Sequence, residues 1–310
     1  MNAVPNKAII EEAALELGIN PAFVEKDWYV VQLLKLITGM NLLGAEAIFT
    51  GGTALAKAHL LLERFSEDID FRLVDPIVES LSRSEQRRRL SGLKGLIHGI
   101  IANHFPKGGN QLKARDENRF FSIEVEYPSQ FAPSEVLRAH VLIEFSVTGL
   151  SLPPIPLPVS SFIGQLTKKD PEIPVIQCID PVETAIDKMS ALVWRVPDRV
   201  REPQDDDPDL VRHIHDLVVL HQRAIAHPNF KALAIEMIAR DDDRCPKISG
   251  RPLKEKMSIL MNTLENDGEY LAEYNRFVQG MSYASGKVPS FEEAIRRLKD
   301  LANHLLESDE

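Results

Sequence analysis

The sequence predicts an α+β fold, in which strands mixed with helices come first and a helical bundle follows. Short apolar or alternating segments, typical of strands, lie mainly in the first half of the chain. In the second half the apolar residues recur mostly with the helical period of about 3.6 residues. Because the two kinds of segment are separated along the chain, their order favours α+β over a doubly wound sheet.

The composition indicates a folded protein and argues against several functional classes. The chain has 310 residues, of which 44% are hydrophobic and 26% charged, so it can bury a sizeable core. No apolar run reaches the roughly 18 residues of a membrane span, and the first residues lack a secretory pattern, so we expect a cytoplasmic protein. The net charge of −10 argues against coating of nucleic acid through charge alone. Cys178 and Cys245 are far apart in sequence, which favours free thiols and disfavours a zinc site.

The predicted elements of the first half alternate between helix and strand. A helix over 6–18 comes first, and Asn20 caps a second helix that begins at Pro21 and runs to about Leu36. The further predicted elements are a strand over 47–50, a helix over 53–62, a strand over 66–73, a helix over 84–105 and strands over 120–127 and 139–148.

A proline-rich segment marks the predicted boundary between two lobes. Residues 151–158 contain four prolines and are incompatible with a regular helix or a central strand. The helical segments that follow lie at about 181–196, 208–226, 229–239, 252–264, 267–280 and 291–307. We therefore expect a sheet-containing lobe with N-terminal helices over 1–150, a connector over 151–175 and a helical lobe over 176–310.

The turn at Gly51 and Gly52 is a candidate phosphate-binding site. A predicted strand ends at this point and a helix begins, so backbone N–H groups at the helix start face outwards. Glycines let the backbone approach a ligand closely, and the Thr53 hydroxyl adds a potential donor. Taken alone, two glycines before a helix are more often only a turn.

The pair Asp68 and Asp70 is the candidate metal site. On a strand, residues two apart point to the same face, so the two carboxylates would project together and repel each other. A divalent cation resolves this conflict, and Mg²⁺, or Mn²⁺ in its place, is the expected ion. Glu144, the one charge inside an apolar strand, is a candidate third ligand or base, with Glu124 and Glu126 as rivals. The alternative interpretation is an acidic strand edge that faces solvent.

Two predicted helices of the second half carry charges opposite their apolar stripes. Lys188 and Arg195 are seven residues apart and share one face of the helix over 181–196, where they either bind a triphosphate or face water. On the next helix Arg212 and Asp216 have the i, i+4 spacing of an exposed ion pair.

These segments together resemble a known family. The turn at 51–53 and the segment 64–71 resemble the signature of DNA polymerase β-type nucleotidyltransferases, and more narrowly that of the AbiEii/AbiGii toxins of type IV toxin–antitoxin and abortive-infection systems. Residues 24–30 resemble that family's N-terminal helix. Residues 188–195 and 212–217 resemble its third and fourth motifs, with His213 in place of a common aspartate.

The resemblance implies a fold, an activity and a set of site residues. The fold would be a nucleotidyltransferase-type mixed sheet with flanking helices, followed by a helical lobe. The activity would be Mg²⁺-dependent transfer of a nucleoside monophosphate from an NTP to a hydroxyl of an RNA, such as a transfer RNA, or of a protein. Growth arrest would follow, countered by a cognate antitoxin that need not touch the toxin. The implied residues are Asp68, Asp70, Lys188 and Asp216 for catalysis, Gly51, Gly52, Thr53, Ser66, Lys188 and Arg195 for nucleotide binding, and Asp68, Asp70 and Glu144 for metal binding.

Two other functional classes are compatible with parts of the pattern. One is a non-catalytic nucleotide-binding or sensor module on the same fold. The other is a glycosyltransferase, because that class also places an Asp-x-Asp motif beside a metal and a nucleotide. The turn at 51–53 ahead of Asp68 argues against the glycosyltransferase.

Overall fold

The computed structural model describes residues 4–106, 110–132, 137–202, 206–284, 286 and 288–307. The chain divides into two compact units, Met1–Ile179 and Asp180–Glu310. Among the described helices, none is both long and apolar enough to cross a membrane.

The first unit is built on a mixed sheet flanked by helices, which agrees with the predicted fold class. Its strands are β1 Glu46–Thr50, β2 Ile69–Val74, β3 Gln111–Arg115, β4 Phe120–Glu126, β5 His140–Val147, β6 Ile155–Val159 and β7 Ile173–Cys178. Its helices are α1 Lys7–Leu17, α2 Pro21–Thr38, α3 Gly51–Lys57, α4 Arg83–His104 and α5 Phe162–Leu166. Within the described residues the strand order is β3-β4-β5-β2-β1-β7-β6. The pairs β2–β5 and β1–β7 are parallel and the other pairs antiparallel.

A row of aromatic side chains fixes the register of the central strands. Phe49 on β1 is the register partner of Phe71 on β2, and Phe71 is the partner of Phe145 on β5. The ring centroids of Phe71 and Phe145 are 5.6 Å apart, and Phe121 on β4 stacks on Phe145 at 4.7 Å. All four rings are buried. A shift of one residue in the strand register would move these rings to the other face of the sheet and expose them. The buried rings therefore also determine the face on which the neighbouring polar side chains lie.

The proline-rich segment corrects the expected lobe boundaries. It contains β6, and β7 follows it, so the sheet-containing unit continues to Ile179 rather than ending at residue 150. The expected connector over 151–175 is therefore partly strand. β6 lies at the edge of the sheet, where prolines such as Pro156 and Pro158 interrupt the fewest ladder hydrogen bonds.

The second unit is helical, as the periodicity predicted. Its helices are α6 Pro181–Asp198, α7 Val211–Ala226, α8 Phe230–Arg240, α9 Leu253–Asn266, α10 Glu269–Met281 and α11 Phe291–Leu306. Helix α6 contacts α7, α8 and α9. Its apolar stripe of Val182, Ile186, Met189 and Val193 is buried, which explains why the period of this segment was readable from the sequence.

Candidate active site

The glycine turn meets the carboxylate of Asp70 directly. Gly51 follows strand β1, opens helix α3 and has φ +75°, a left-handed conformation that favours glycine. A Cβ atom built on Gly51 would lie 2.0 Å from Asp70 Oδ2 and 2.9 Å from its Cγ. A side chain at this position is therefore disfavoured by the backbone conformation and requires the Asp70 carboxylate to move. On Gly52 a Cβ atom would collide with the buried guanidinium of Arg64.

Asp70 lies beside Glu144 in the sheet. The two are register partners on the parallel strands β2 and β5, so their side chains leave the same face, opposite the phenylalanine row. The rival Glu124 forms an ion pair of 2.6 Å with Lys113 on β3, and Glu126 is exposed at the end of β4. Of the three glutamates, Glu144 is the one in register with Asp70.

Asp68 precedes strand β2, which begins at Ile69 rather than at Ser66 as expected. The buried hydroxyl of Thr53 donates a short hydrogen bond to the Asp68 carbonyl oxygen and lies 2.8 Å from Ser66 Oγ. Arg138 donates from Nη1 to Asp68 Oδ1 over 2.7 Å. In this structure the hydroxyls of Thr53 and Ser66 thus hold the acidic segment in place, while Arg138 balances the charge of Asp68.

The buried residue Lys26 stabilises the segment that carries Asp68. Lys26 on α2 is fully buried and forms a short ion pair with Glu67, the neighbour of Asp68. Burial lowers the pKa of Lys26, an effect that the charge of Glu67 opposes. Lys26 Nζ also donates to the carbonyl oxygen of Arg138 over 2.8 Å, and Glu67 accepts from the backbone N–H of Arg138 over 3.0 Å. The backbone at residue 138 is therefore held on both sides.

Helix α2 buries three consecutive charges, and each of them holds a different segment. Asp27 forms an ion pair of 2.7 Å with Lys57 at the end of α3 and accepts from the Phe162 backbone N–H over 2.6 Å. Burial raises the pKa of Asp27, and Lys57 opposes this change. Glu25 accepts from the backbone N–H of Gln130 over 2.8 Å. Helix α3, which follows the glycine turn, is thus fixed by a charge on α2.

The carboxylates fit a metal that is bound together with a substrate. Across the part of the chain that the structure describes, no group of three or more His, Cys, Asp or Glu side chains is placed to hold a metal ion. The expected set Asp68, Asp70 and Glu144 is thus not gathered into one complete cage. Mg²⁺ is usually held by one or two carboxylates plus substrate phosphates, so carboxylates beside a glycine turn are of the chemical kind that this ion takes.

In the second unit Lys188 and Asp216 come together. The two form an ion pair of 2.9 Å, with 8% of the lysine side chain and none of the aspartate side chain exposed. The water-facing alternative for Lys188 is therefore wrong. Arg195 forms an ion pair of 2.5 Å with Asp207 and is more open to solvent. A buried pair of this kind holds the ammonium group in one position.

His213 connects the two cations of α6. Its Nδ1 lies 3.4 Å from Lys188 Nζ and its Nε2 lies 3.3 Å from Arg195 Nη1. Burial and the positive charges of Lys188, Arg212 and Arg195 lower the pKa of His213 well below its ordinary value. The ring is therefore neutral at pH 7 and has one acceptor nitrogen, so one of the two contacts is a hydrogen bond in a given tautomer.

Sequence reasoning missed four of these contacting residues, namely Lys26, Glu67, Arg138 and His213. For Lys26 a signal existed, because a lysine between apolar residues of a buried helix requires a partner. For Arg138 no local pattern was available. Its contacts with Lys26 join positions 112 residues apart in sequence.

The glycine turn follows β1, and Asp68 and Asp70 lie at the start of the neighbouring antiparallel strand β2, in a chain that matches a nucleotidyltransferase family. The sequence profile of one family, described as nucleotidyl transferase AbiEii toxin of type IV toxin–antitoxin systems, matches residues 36–297. The chain belongs to this family, which confirms the suspected resemblance and the enzyme class. The matched region begins after residues 24–30, so it does not test the resemblance of those residues to the family's N-terminal helix.

A solved structure shares the fold. MenT4, a nucleotidyltransferase toxin from Mycobacterium tuberculosis H37Rv, matches with a TM-score of 0.63 at 18% identity. The alignment covers 98% of this chain and 91% of that chain. A comparison with curated proteins found no significant match. Membership of a nucleotidyltransferase family decides against the glycosyltransferase alternative.

Proposed function

We propose that the protein transfers a nucleoside monophosphate from an NTP to a hydroxyl group of an RNA, with Mg²⁺ as cofactor. The observation that carries this proposal is the position of Asp70, which lies against the Gly51 turn and in register with Glu144. Family membership supports the reaction class. The family resemblance implies an RNA or a protein hydroxyl as acceptor, and of these we propose the RNA.

The reaction would proceed by in-line displacement. The acceptor hydroxyl attacks the α-phosphorus, a new P–O bond forms, and the bond to the β-phosphate oxygen breaks to release pyrophosphate. Asp68 and Asp70 would supply carboxylate oxygens to Mg²⁺, which when bound offsets charge on the phosphates. Glu144 is our candidate for a further ligand or for the base that accepts the hydroxyl proton.

The turn would bind phosphate through its backbone. Thr50, the residue before helix α3, makes no side-chain capping hydrogen bond, so the N–H groups of Gly51, Gly52 and Thr53 are not capped by that side chain. Since the Thr53 hydroxyl contacts the Asp68 carbonyl and Ser66, we assign both hydroxyls a positioning role. This assignment replaces the direct contact with phosphate that was expected for them.

Charged residues of the second unit would bind the triphosphate. Lys188 is held by Asp216, and we propose that this ammonium group and the Arg195 guanidinium offset phosphate charge. Asp216 would orient Lys188. His213, which stays neutral, adds no charge and separates the two cations.

The partners and the biological role follow from this proposal. An NTP would be the nucleotide donor, and transfer to RNA in the cytoplasm would arrest growth. A cognate antitoxin, encoded nearby as in type IV systems, would counter this effect with or without direct contact.

A transfer assay tests the proposal. The protein is incubated with Mg²⁺, total RNA and each NTP labelled at the α-phosphate, and the label is followed into RNA and protein. We expect labelled RNA from wild type and from the exposed control Asp170→Asn, and none from folded Asp68→Ala or Asp70→Asn. Transfer by folded Asp70→Asn at the wild-type rate contradicts the metal assignment. Label in protein alone would refute the RNA acceptor, and nucleotide binding without transfer would indicate the sensor module.

A further inference from the structure

Arg138 forms an ion pair with Asp68, one of the two carboxylates that our proposed function assigns to metal binding. Its guanidinium donates to Asp68 Oδ1 over 2.7 Å and lies 3.7 Å from Glu67 Oε1. The Arg138 side chain is 39% exposed, whereas that of Asp68 is 14% exposed. A solvent-accessible guanidinium thus covers one of the two carboxylates that a metal ion would need.

The guanidinium is not needed to hold its own segment of chain. The backbone at residue 138 is fixed by Lys26, which donates to its carbonyl oxygen, and by Glu67, which accepts from its N–H group. Both bonds use backbone atoms of residue 138, so neither requires its side chain. The side chain is therefore free to change partner without a change in the backbone that carries it.

The two possible partners of Arg138 are chemically similar. A guanidinium forms directed, charge-assisted hydrogen bonds to carboxylate and to phosphate oxygens with the same donor geometry. When Asp68 turns to a divalent cation, Arg138 loses its 2.7 Å partner and keeps only the more distant Glu67 carboxylate, beside an incoming ion of the same sign. The triphosphate that accompanies the metal brings several anionic oxygens to the same place.

We propose that Arg138 is a further nucleotide-binding residue that exchanges partners. In the free protein it neutralises Asp68, and when metal and NTP bind it moves from Asp68 to a phosphate oxygen of the triphosphate. This inference rests on the proposed function, because it requires Asp68 to be a metal ligand. Arg138 then disfavours metal binding in the absence of nucleotide and favours nucleotide binding in its presence.

Two binding measurements on Arg138→Gln test the exchange. The affinity for Mn²⁺ alone is measured from the electron paramagnetic resonance signal of free Mn²⁺. The affinity for a non-hydrolysable NTP analogue at saturating Mn²⁺ is measured by calorimetry. We expect Mn²⁺ to bind several-fold more tightly to the variant, and the analogue to bind about tenfold more weakly, the effect of one lost charge-assisted contact.

The matched control is Arg83→Gln. Arg83 lies in the same unit, is 85% exposed and pairs with Glu117, so its replacement removes the same charge away from the acidic pair. We expect both affinities of this variant to equal those of wild type. Thermal unfolding of both variants checks that the fold is retained.

The opposite signs of the two changes distinguish the proposal from simpler roles. If both affinities fall, Arg138 only supports the fold of the site, and if both rise, it is only a counter-ion; either result overturns the exchange. Unchanged affinities overturn it as well. If wild type itself binds neither Mn²⁺ nor the analogue, the proposed function fails and the inference fails with it.

Discussion

Replacement of Gly51 by alanine tests the contact on which the site is built. The added Cβ atom would lie 2.0 Å from Asp70 Oδ2, whereas real Cβ contacts are essentially never below 3.0 Å. The carboxylate oxygen must therefore retreat by at least 1.0 Å, the difference between these distances. Asp70 cannot achieve this by moving its tip alone, since its Cγ and Cβ atoms would lie 2.9 Å and 3.1 Å from the new methyl group.

The expected effects on activity and stability differ in size. A displacement of about 1 Å in a catalytic group costs on the order of 10²-fold in rate, so we expect at least this loss of nucleotide transfer. The left-handed backbone at φ +75° costs an alanine about 1–2 kcal/mol, so the variant should remain folded. The two effects are measured by transfer of labelled nucleotide and by urea unfolding.

Gly18→Ala is the matched control for this experiment. Gly18 also has a left-handed φ, of +66°, but a Cβ atom there meets nothing within 4 Å. We expect a similar loss of stability in this variant with no loss of transfer. If folded Gly51→Ala transferred nucleotide within threefold of Gly18→Ala, the close approach of Asp70 to the turn would have no catalytic meaning, and our reasoning would be refuted.

Two further predictions concern the second unit. Lys188→Met should weaken nucleotide binding in calorimetry, and it should also lower the free energy of unfolding by about 3–5 kcal/mol because the buried Asp216 loses the ammonium group of its ion pair. Unchanged affinity in a folded Lys188→Met protein would remove Lys188 from the site. Because the pKa of His213 is lowered by folding, the unfolded chain binds a proton on this ring at a higher pH than the folded chain does. The contribution of neutral His213 to the free energy of unfolding is therefore fully present above pH 6.5 and is lost as the pH falls below that value. The loss is at most about 1.4 kcal/mol per pH unit, and in His213→Gln the slope of unfolding free energy against pH should flatten. An equal slope in His213→Gln and in the exposed control His104→Gln would contradict a neutral His213.

The sequence predicted those parts of the structure that depend on local pattern. Gly51 and Asp70 were identified because a strand end and a period of two are visible within a few residues. Glu144 was identified as a single charge inside an apolar strand, and the register places it beside Asp70. The helical second unit followed from its apolar stripes.

The parts that the sequence did not predict depend on distant contacts or on edge effects. Strand β6 was missed because its prolines are tolerated at the edge of a sheet, a position that no local pattern reveals. Strand β3, at the other edge, is mostly exposed and lacks an apolar face to signal it. The roles of Arg138 and Lys26 are visible only once the chain has brought them to Glu67 and Asp68.

The three adjacent charges on α2 limit how early during synthesis this helix can complete its contacts. Their partners lie far downstream: Lys26 needs Glu67, Glu25 needs the backbone of Gln130, and Asp27 needs that of Phe162, which is 135 residues later. On the ribosome the helix emerges long before these partners exist. The buried charges of α2 therefore meet all of these partners only after more than half of the chain has been translated.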